Sequence, residues 1–183
     1  AVVDPAWDTN LILQEAEHND LKIIMVLLTH GHADHVEGAG RIADALNIPV
    51  IISTDESPFY IPECQNLQKV HDRDRIPIGR IDVECLSTPG HSSGGLCFHC
   101  GDILLTGDTL FINGCGRCDL PGGDVEAMYH SLYDVLLKLP DSTQIYPGHR
   151  YGPWPSSTLK KQRASNPYLT CRTKDEFLTR MGY

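Results

Sequence analysis

Residues 29–35, with the sequence Thr-His-Gly-His-Ala-Asp-His, constrain the fold of this chain more than any other segment. They follow a largely apolar run at residues 22–28, which predicts a β-strand buried on both faces. Side chains alternate along an extended segment, so His30 and His32 point to the same side. Asp34 and His35 follow where the chain turns into the next predicted helix. Three imidazoles and a carboxylate at the end of a buried strand predict a site for zinc, iron or a similar metal.

Length, composition and charge are typical of one globular domain. The chain has 183 residues, of which 41% are hydrophobic and 21% charged, so we predict a single domain over residues 1–183. No apolar run approaches the roughly 20 residues of a membrane helix, and no membrane partner is expected. The net charge is −9, from 15 basic and 24 acidic residues. Nucleic acid is not expected as a partner either, because phosphates are bound by clustered Lys and Arg.

The seven cysteines are expected to be reduced thiols. The first residues lack the pattern of a signal peptide, which predicts a cytoplasmic protein, or one of an organelle matrix in a eukaryote. Cys97 and Cys100, followed by Cys115 and Cys118, approach the spacing of a zinc ribbon. Cys97 and Cys100 fall on a predicted strand, however, where their odd spacing sends them to opposite faces. We therefore predict no disulfide and no separate zinc site on these four cysteines.

Strand-type and helix-type segments alternate along the chain, which predicts a layered α/β fold. The predicted strands are residues 1–3, 22–28, 50–52, 81–86, 96–100, 103–105 and 143–146. The predicted helices are residues 11–16, 36–46 and 125–137, and one that begins at Thr173. Asp124 is positioned to cap the third helix, and Thr173 with Glu176 forms a capping box for the last.

The metal-type motif resembles that of the metallo-β-lactamase superfamily, and three later segments match the further motifs of that family in the same order. They are Thr-Pro-Gly-His-Ser-Ser-Gly at 88–94, which supplies His91; Thr-Gly-Asp-Thr-Leu-Phe at 106–111, which supplies Asp108; and Tyr-Pro-Gly-His at 146–149, which supplies His149. The resemblance covers nearly the whole chain. It implies an α/β fold of four layers, the αββα metallo-β-lactamase sandwich, with the metal site at one edge between the sheets. It also implies further strands before Ala1.

The same resemblance implies two divalent metal ions. The residues that it assigns are His30, His32 and His91 to the first metal, Asp34, His35 and His149 to the second, and Asp108 to both. A carboxylate and a hydroxide between two cations offset their mutual repulsion, and a water in that position loses a proton near neutral pH. Zinc is the expected metal, with iron and manganese as alternatives.

The segment after the third motif indicates the branch of the superfamily. Gly-Cys-Gly-Arg at residues 114–117 resembles a loop of glyoxalase II, the hydroxyacylglutathione hydrolases. The resemblance implies that Arg117 and Tyr151 bind the thiol part of the substrate. It implies hydrolysis of a thioester by a metal-bridging hydroxide, with Asp34 and Asp108 as catalytic carboxylates. The thiol carrier stays open among glutathione, coenzyme A and acyl-carrier protein, because residues 120–124 resemble small hydrolases that include some of polyketide pathways.

A second branch resembles the chain nearly as well. The persulfide dioxygenases share residues 114–117 together with Asp119, and residues 128–132 also look similar. They retain all seven ligand positions yet use one iron on two histidines and the aspartate. The alternative is therefore a mononuclear iron(II) persulfide dioxygenase. Residues 107–111 and 147–149 favour the hydrolases, which are our first hypothesis.

Overall fold

The computed structural model describes the whole chain, from Ala1 to Tyr183. The strands are β1 (Val2–Val3), β2 (Val26–Leu27), β3 (Val50–Ser53), β4 (Leu67–Val70), β5 (Arg75–Ile78), β6 (Ile81–Ser87), β7 (Leu96–Cys100), β8 (Ile103–Gly107), β9 (Leu110–Phe111), β10 (Gly114–Cys115), β11 (Gln144–Pro147) and β12 (Ser157–Thr158). A parallel sheet has the order β1-β2-β3-β4, and a mixed sheet has the order β12-β11-β8-β7-β6-β5. Strands β9 and β10 pair separately beside them.

Six α-helices cover the outer faces of the two sheets. They are α1 (Thr9–His18), α2 (Ala33–Val36), α3 (Ala39–Leu46), α4 (Val125–His130), α5 (Leu159–Ser165) and α6 (Lys174–Met181). Helix α4 continues through a π-helical turn at Ser131–Val135 and a 3₁₀ turn at Leu136–Lys138. None of the helices combines the length and the apolar character that crossing a bilayer requires.

Three apolar layers hold the elements together, and β2 shows how they arise. Val26 and Leu28 are fully buried against Ile42 of α3, whereas Leu27 between them packs with Phe98 of the mixed sheet. The alternation along one strand therefore separates a helix-facing layer from an inter-sheet layer. A third layer joins the other face of the mixed sheet to α4, α5 and α6. The predicted αββα sandwich is confirmed.

The strand predicted at residues 22–28 is shorter in the structure. Only Val26–Leu27 pair with both neighbours, and within the predicted segment only Val26, Leu27 and Leu28 are buried. Before Val26 the chain lies beside α1, where Ile23 lines an apolar cleft with Leu11. These apolar residues thus pack against a helix instead of extending the sheet, which the hydrophobic run alone does not distinguish.

The helix predicted at residues 36–46 is broken into α2 and α3. The break lies at Gly38, whose N–H donates to the carbonyl of Pro5 at 2.9 Å. A Cβ at Gly38 would lie only 2.7 Å from the carbonyl oxygen of Ala6. This close approach of the N-terminal segment separates the helix that carries the metal-type motif from the longer helix behind it.

The remaining predicted elements match the structure more closely. The hairpin of β7 and β8 turns at Gly101, whose φ is +59°. Asp124 caps α4 by accepting from the N–H of Glu126 and of Ala127, at 2.8 and 3.0 Å. Thr173 caps α6 by accepting from the N–H of Glu176 at 3.1 Å. Strands β4, β5, β9, β10 and β12 and helix α5 were not predicted, because each is a short segment without a clear pattern. In β5, Pro77 argues against a strand although Ile76 and Ile78 alternate.

All seven cysteines are free thiols. Cys97 and Cys100, the first pair of the ribbon-type spacing, lie on opposite faces of the mixed sheet, as predicted. Cys97 belongs to the layer under α4, whereas Cys100 packs against the inter-sheet layer. Burial raises the pKa of the Cys97 thiol to about 11. The two thiols therefore cannot share one metal ion, and Cys97 is kept protonated in the apolar layer.

We expect the double variant Cys97→Ser, Cys100→Ser to keep the wild-type metal content. Serine has nearly the volume of cysteine, and Cys97 already contacts the hydroxyl of Thr88 at 3.3 Å. Metal analysis of the purified variant by mass spectrometry measures the atoms per chain. Loss of one metal atom per chain would show that these thiols bind a metal after all.

Candidate metal centre

Four strands end at one edge of the sandwich, and each is followed by polar residues of one motif. Strand β2 leads into residues 29–35, β6 into residues 88–91, β8 into Asp108 and β11 into His149. Strands β8 and β11 are parallel neighbours, so their ends coincide, and the N–H of Gly148 donates to the Gly107 carbonyl at 2.8 Å. The N–H of Leu96 donates to the Thr29 carbonyl at 2.7 Å and joins the two sheets there.

All seven residues predicted as metal ligands meet at this edge. Three triplets have all their ligand atoms within 4.8 Å of one another: His30, His32 and His91, called the first triplet below; Asp34, His35 and His149, the second triplet; and His30, His35 and Asp108. Most of these side chains are buried, whereas those of Asp34 and His149 are 43% and 29% exposed at the opening of the site. The topology therefore brings together residues that are up to 119 positions apart in the sequence, His30 and His149.

Asp108 lies between the two triplets. Its Oδ2 is 3.5 Å from Nε2 of His91 in the first triplet and 3.5 Å from Nε2 of His149 in the second. Its Oδ1 is 3.5 Å from Nε2 of His35. The side chain is 8% exposed. One buried carboxylate is thus within reach of both groups of nitrogen atoms.

The chemistry of the donor set fits divalent metal ions. His30 Nε2, His32 Nε2 and Asp108 Oδ1 are buried without a hydrogen-bond partner, whereas most buried polar atoms in proteins have one. Nδ1 of His32 lies 3.0 Å from Nε2 of His91, close enough that a shared proton or cation must offset the repulsion of two lone pairs. Imidazole and carboxylate are ligands of zinc and iron.

In three of the histidines, Nδ1 contacts a polar group of the protein outside the cluster. The pairs are His30 with the Thr29 hydroxyl (3.1 Å), His35 with the Asp4 carboxylate (3.0 Å) and His91 with the Arg117 carbonyl (2.8 Å), in each case through Nδ1. Such contacts fix the orientation of a ligand ring and decide which nitrogen carries the proton. In all three rings they leave Nε2 directed toward the other members of the cluster.

Three further residues of the site, Asp4, Thr29 and Glu56, are not among those predicted from the sequence. Asp4 follows β1, which is parallel to β2, so its carboxylate lies beside the motif at the end of β2. The buried Glu56 accepts from the Gly31 N–H at 2.9 Å and from the Ser92 hydroxyl at 3.1 Å. It thereby joins the segments that carry the first triplet. No local pattern marks it, because both contacts span more than 20 residues.

Gly148 allows the fourth motif to approach the centre. A Cβ at this position would lie 2.6 Å from Asp108 Oδ1 and 2.9 Å from Cε1 of His35. Any side chain would therefore displace a member of the cluster, which explains the Pro-Gly-His order of residues 147–149.

A cleft of about 580 Å³ opens beside the cluster. Its lining includes His91, Asp108, Phe111, Arg117, Tyr151 and Tyr168. Tyr151 is 74% exposed, and its ring stacks edge-on against Phe111 with centroids 5.0 Å apart. The guanidinium of Arg117 donates two hydrogen bonds to Asp119, at 2.6 and 2.7 Å, and lowers the pKa of that carboxyl to about 2. The two residues predicted to bind substrate thus border the same cleft as the cluster.

The two triplets differ in their affinity for protons. Burial and the neighbouring imidazoles lower the pKa of His30, and burial also lowers the pKa of His32 and of His91. Burial disfavours the charged form of His35 as well, but the hydrogen bond and charge of Asp4 raise its pKa above the ordinary value. Protons therefore compete more strongly for His35 of the second triplet than for the three histidines of the first.

We expect metal bound at the second triplet to be released first when the pH is lowered from about 7.5 to about 5.5, the range in which histidines titrate. A raised pKa means that more of His35 is protonated at each pH, and a protonated imidazole has no lone pair for a metal. Metal analysis after dialysis at stepped pH values measures the atoms retained per chain. Release of all metal in a single step would contradict the expectation.

Comparison with known proteins agrees with this geometry. A family model described as the metallo-beta-lactamase superfamily matches residues 1–149. The probable polyketide biosynthesis zinc-dependent hydrolase BaeB of Bacillus velezensis is 33% identical over 176 residues, which cover 96% of this chain and 78% of that protein. The mitochondrial persulfide dioxygenase ETHE1 of Homo sapiens is 34% identical over 185 residues, which cover 99% of this chain and 70% of that protein.

A solved structure extends the similarity to the whole backbone. The crystal structure of ETHE1 from Myxococcus xanthus has a TM-score of 0.90 and 31% sequence identity, and the match covers 98% of this chain and 78% of that one. With the family model matched over residues 1–149, this similarity shows that the chain belongs to the metallo-β-lactamase superfamily.

Proposed function

We propose that this protein is a metal-dependent hydrolase that cleaves a thioester. The observation that carries the proposal is the presence of two complete triplets of ligand atoms with the Asp108 carboxylate within 3.5 Å of both. The second triplet offers a place for a second ion, and residues 107–111 and 147–149, which resemble those of the hydrolases, favour its use over the single iron of the persulfide dioxygenases. The name of the BaeB relative, a zinc-dependent hydrolase, gives independent support.

The proposed ligands follow from the triplets. His30, His32 and His91 hold one divalent ion, Asp34, His35 and His149 hold the other, and Asp108 binds both. Zinc is the proposed metal, with iron or manganese as alternatives. Bound there, such a pair of ions would supply Lewis-acid chemistry, which activates water near neutral pH and polarises a carbonyl group.

The chain itself contributes position and charge. Asp108 is buried and has a pKa raised to about 6 by that burial, so at pH 7 and above it adds a negative charge between the triplets. Asp34 adds a second carboxylate at the exposed side of the site, 3.3 Å from Nε2 of His149. These two carboxylates are the proposed catalytic residues, because they balance the charge of the ions where the carbonyl carbon is attacked.

Arg117 and Tyr151 are proposed to bind the thiol part of the substrate. Both line the cleft that also contains His91 and Asp108. The Arg117 side chain is 63% exposed, so its guanidinium is accessible to a carboxylate or phosphate of a thiol carrier despite its pairing with Asp119. The proposed carriers are glutathione, coenzyme A or acyl-carrier protein, and the proposed location is the cytoplasm or an organelle matrix.

A second candidate function is that of a mononuclear iron persulfide dioxygenase. His30, His91 and Asp108 form a set of two histidines and one carboxylate, the ligand type of non-haem iron oxygenases. The persulfide dioxygenase ETHE1 of Homo sapiens matches 99% of this chain. This function requires only one ion and makes no use of the second triplet.

The carrier is tested with the zinc-loaded protein and the thioesters of glutathione, coenzyme A and an acyl-carrier protein. We expect hydrolysis of at least one, and we expect Arg117→Ala to raise KM about tenfold with kcat nearly unchanged, because the contact forms equally in substrate and transition state. Asp119→Ala is the matched variant, since it frees the guanidinium and should not raise KM. Equal kinetics of wild type and Arg117→Ala on every cleaved thioester would remove Arg117 from the substrate site.

A further inference from the structure

We propose that Asp4 is a positioning residue that sets the tautomers of two metal-ligand histidines, His30 and His35, through one carboxylate. The two histidines belong to different triplets, so a single side chain prepares both halves of the centre. This inference rests on the proposed metal-binding role of His30 and His35. It concerns the protein before metal binds, which allows it to be tested separately.

The backbone directs the Asp4 side chain into the site. Asp4 follows β1 and has a φ of +46°, a left-handed conformation that aspartate and asparagine adopt more readily than most residues. Its N–H donates to the Leu27 carbonyl at 3.0 Å, and its Oδ1 accepts from the Thr29 N–H at 2.8 Å. The side chain is 12% exposed. Its position is therefore fixed by the neighbouring strand.

The first tautomer follows from the hydroxyl group of Thr29. This hydroxyl has one hydrogen, which it donates to Asp4 Oδ2 at 2.6 Å. The same oxygen lies 3.1 Å from Nδ1 of His30, and with its hydrogen engaged it can only accept there. His30 must therefore carry its proton on Nδ1, which leaves the lone pair on the buried Nε2.

The second tautomer follows from Asp4 directly. Its Oδ2 lies 3.0 Å from Nδ1 of His35, and a carboxylate accepts hydrogen bonds without donating any. His35 therefore also carries its proton on Nδ1. Its Nε2, which lies 3.1 Å from Nε2 of His149, keeps the lone pair for a metal. Both histidines thus present the nitrogen that a metal requires before one arrives.

Asp4→Asn reverses this arrangement with little change in shape. Asparagine tolerates the left-handed backbone, and its amide oxygen can still accept from the Thr29 N–H. Its NH₂ group then faces Nδ1 of His35 and the Thr29 hydroxyl, where an acceptor stood before. Each histidine keeps its hydrogen bond only by moving its proton to Nε2. In a catalytic triad the equivalent aspartate-to-asparagine change favours the wrong histidine tautomer in the same way.

The direct test is ¹⁵N NMR of the histidine side chains in the metal-free protein at about pH 9, well above the ordinary histidine pKa, because the Asp4 carboxylate raises the pKa of His35. In the wild type we expect a protonated Nδ1 and a bare Nε2 for His30 and His35, and the opposite for both in Asp4→Asn. His91 is an internal control, because its Nδ1 faces a backbone carbonyl, that of Arg117, at 2.8 Å. Wild-type tautomers at His30 and His35 in Asp4→Asn would overturn the proposal.

Variants of Thr29 separate the effect of Asp4 on His30, which acts through the Thr29 hydroxyl, from its direct effect on His35. Thr29→Val removes the hydroxyl, so it should release the tautomer of His30 alone, while Thr29→Ser keeps the hydroxyl and should restore it. In metal titrations Asp4→Asn should lower the affinity for both ions by about 10- to 100-fold, the usual effect of removing such a hydrogen-bond partner. Thr29→Val should lower the affinity for only one ion. Equal effects of Thr29→Val and Thr29→Ser would overturn the proposal even if Asp4→Asn did not fold. Predicted tautomers in a protein that hydrolyses no thioester would contradict the proposed function but not this inference.

Discussion

Asp108→Asn is expected to lower thioester hydrolysis by at least about a thousandfold and to reduce the metal content of the protein toward zero. Loss of one electrostatic contributor typically costs about 100- to 1000-fold in kcat, and Asp108 is shared by both triplets. Its carboxylate oxygens reach nitrogen atoms of both, at 3.5 Å in each case. Hydrolysis kinetics and metal analysis on the same preparation measure the two effects. A variant that keeps two metal atoms per chain would show that Asp108 does not bind them.

The unfolding temperature of metal-free Asp108→Asn shows whether the variant is correctly folded. Burial raises the pKa of Asp108 to about 6, above its usual value of 3.8, so in the metal-free protein the ionised carboxylate is unfavourable. The stability associated with the neutral carboxyl is complete below about pH 4 and is lost as the pH rises through about 6. Metal-free Asp108→Asn should therefore unfold at a higher temperature than metal-free wild type at pH 8, but at a similar temperature at pH 4. A lower unfolding temperature at pH 8 would indicate a structural defect instead.

His149→Ala is expected to lower thioester hydrolysis by at least about a hundredfold and to reduce the metal content from about two atoms per chain to about one. His149 lies 3.1 Å from Nε2 of His35 and 3.3 Å from Asp34, and it has no such contact with the first triplet. Its side chain is 29% exposed, so its removal should disturb packing little.

His71→Ala is the matched control for this variant. His71 is exposed. Its backbone N–H donates to the Asp74 carboxylate at 2.8 Å, a hydrogen bond that does not involve the imidazole and that alanine can keep. The control should keep both metal atoms and the full rate. Circular dichroism compares the folding of the two variants. A well-folded His149→Ala protein with wild-type metal content and rate would exclude the second triplet from the mechanism.

The sequence predicted the centre well because its residues occur in short motifs at strand ends. His30 and Asp108 are 78 positions apart, yet each follows a buried strand, and strand ends at one sheet edge must meet. The same reasoning supported the layered fold, whose apolar alternation is visible at Val26, Leu27 and Leu28. Site residues that stand in a short local motif were therefore predicted correctly in their placement at the strand ends.

Contacts between distant segments could not be predicted in this way. Asp4 and Glu56 each contact the motif at residues 29–35 across 25 positions, and neither stands in a recognisable pattern. The break at Gly38 also depends on a distant segment, since it is the Pro5 carbonyl that replaces a helical hydrogen bond. Such features depend on tertiary packing, which overrides local propensity.

The two candidate functions differ in whether two ions act in hydrolysis or one iron acts in oxygen chemistry. The most direct measurement compares zinc-loaded protein acting on glutathione, coenzyme A and acyl-carrier thioesters with iron-loaded protein consuming oxygen in the presence of glutathione persulfide. Metal atoms per chain are determined on both samples. We predict about two metal atoms per chain, hydrolysis of at least one thioester and negligible oxygen uptake. One iron per chain with rapid oxygen uptake and negligible thioester cleavage would contradict the proposed function and support the dioxygenase.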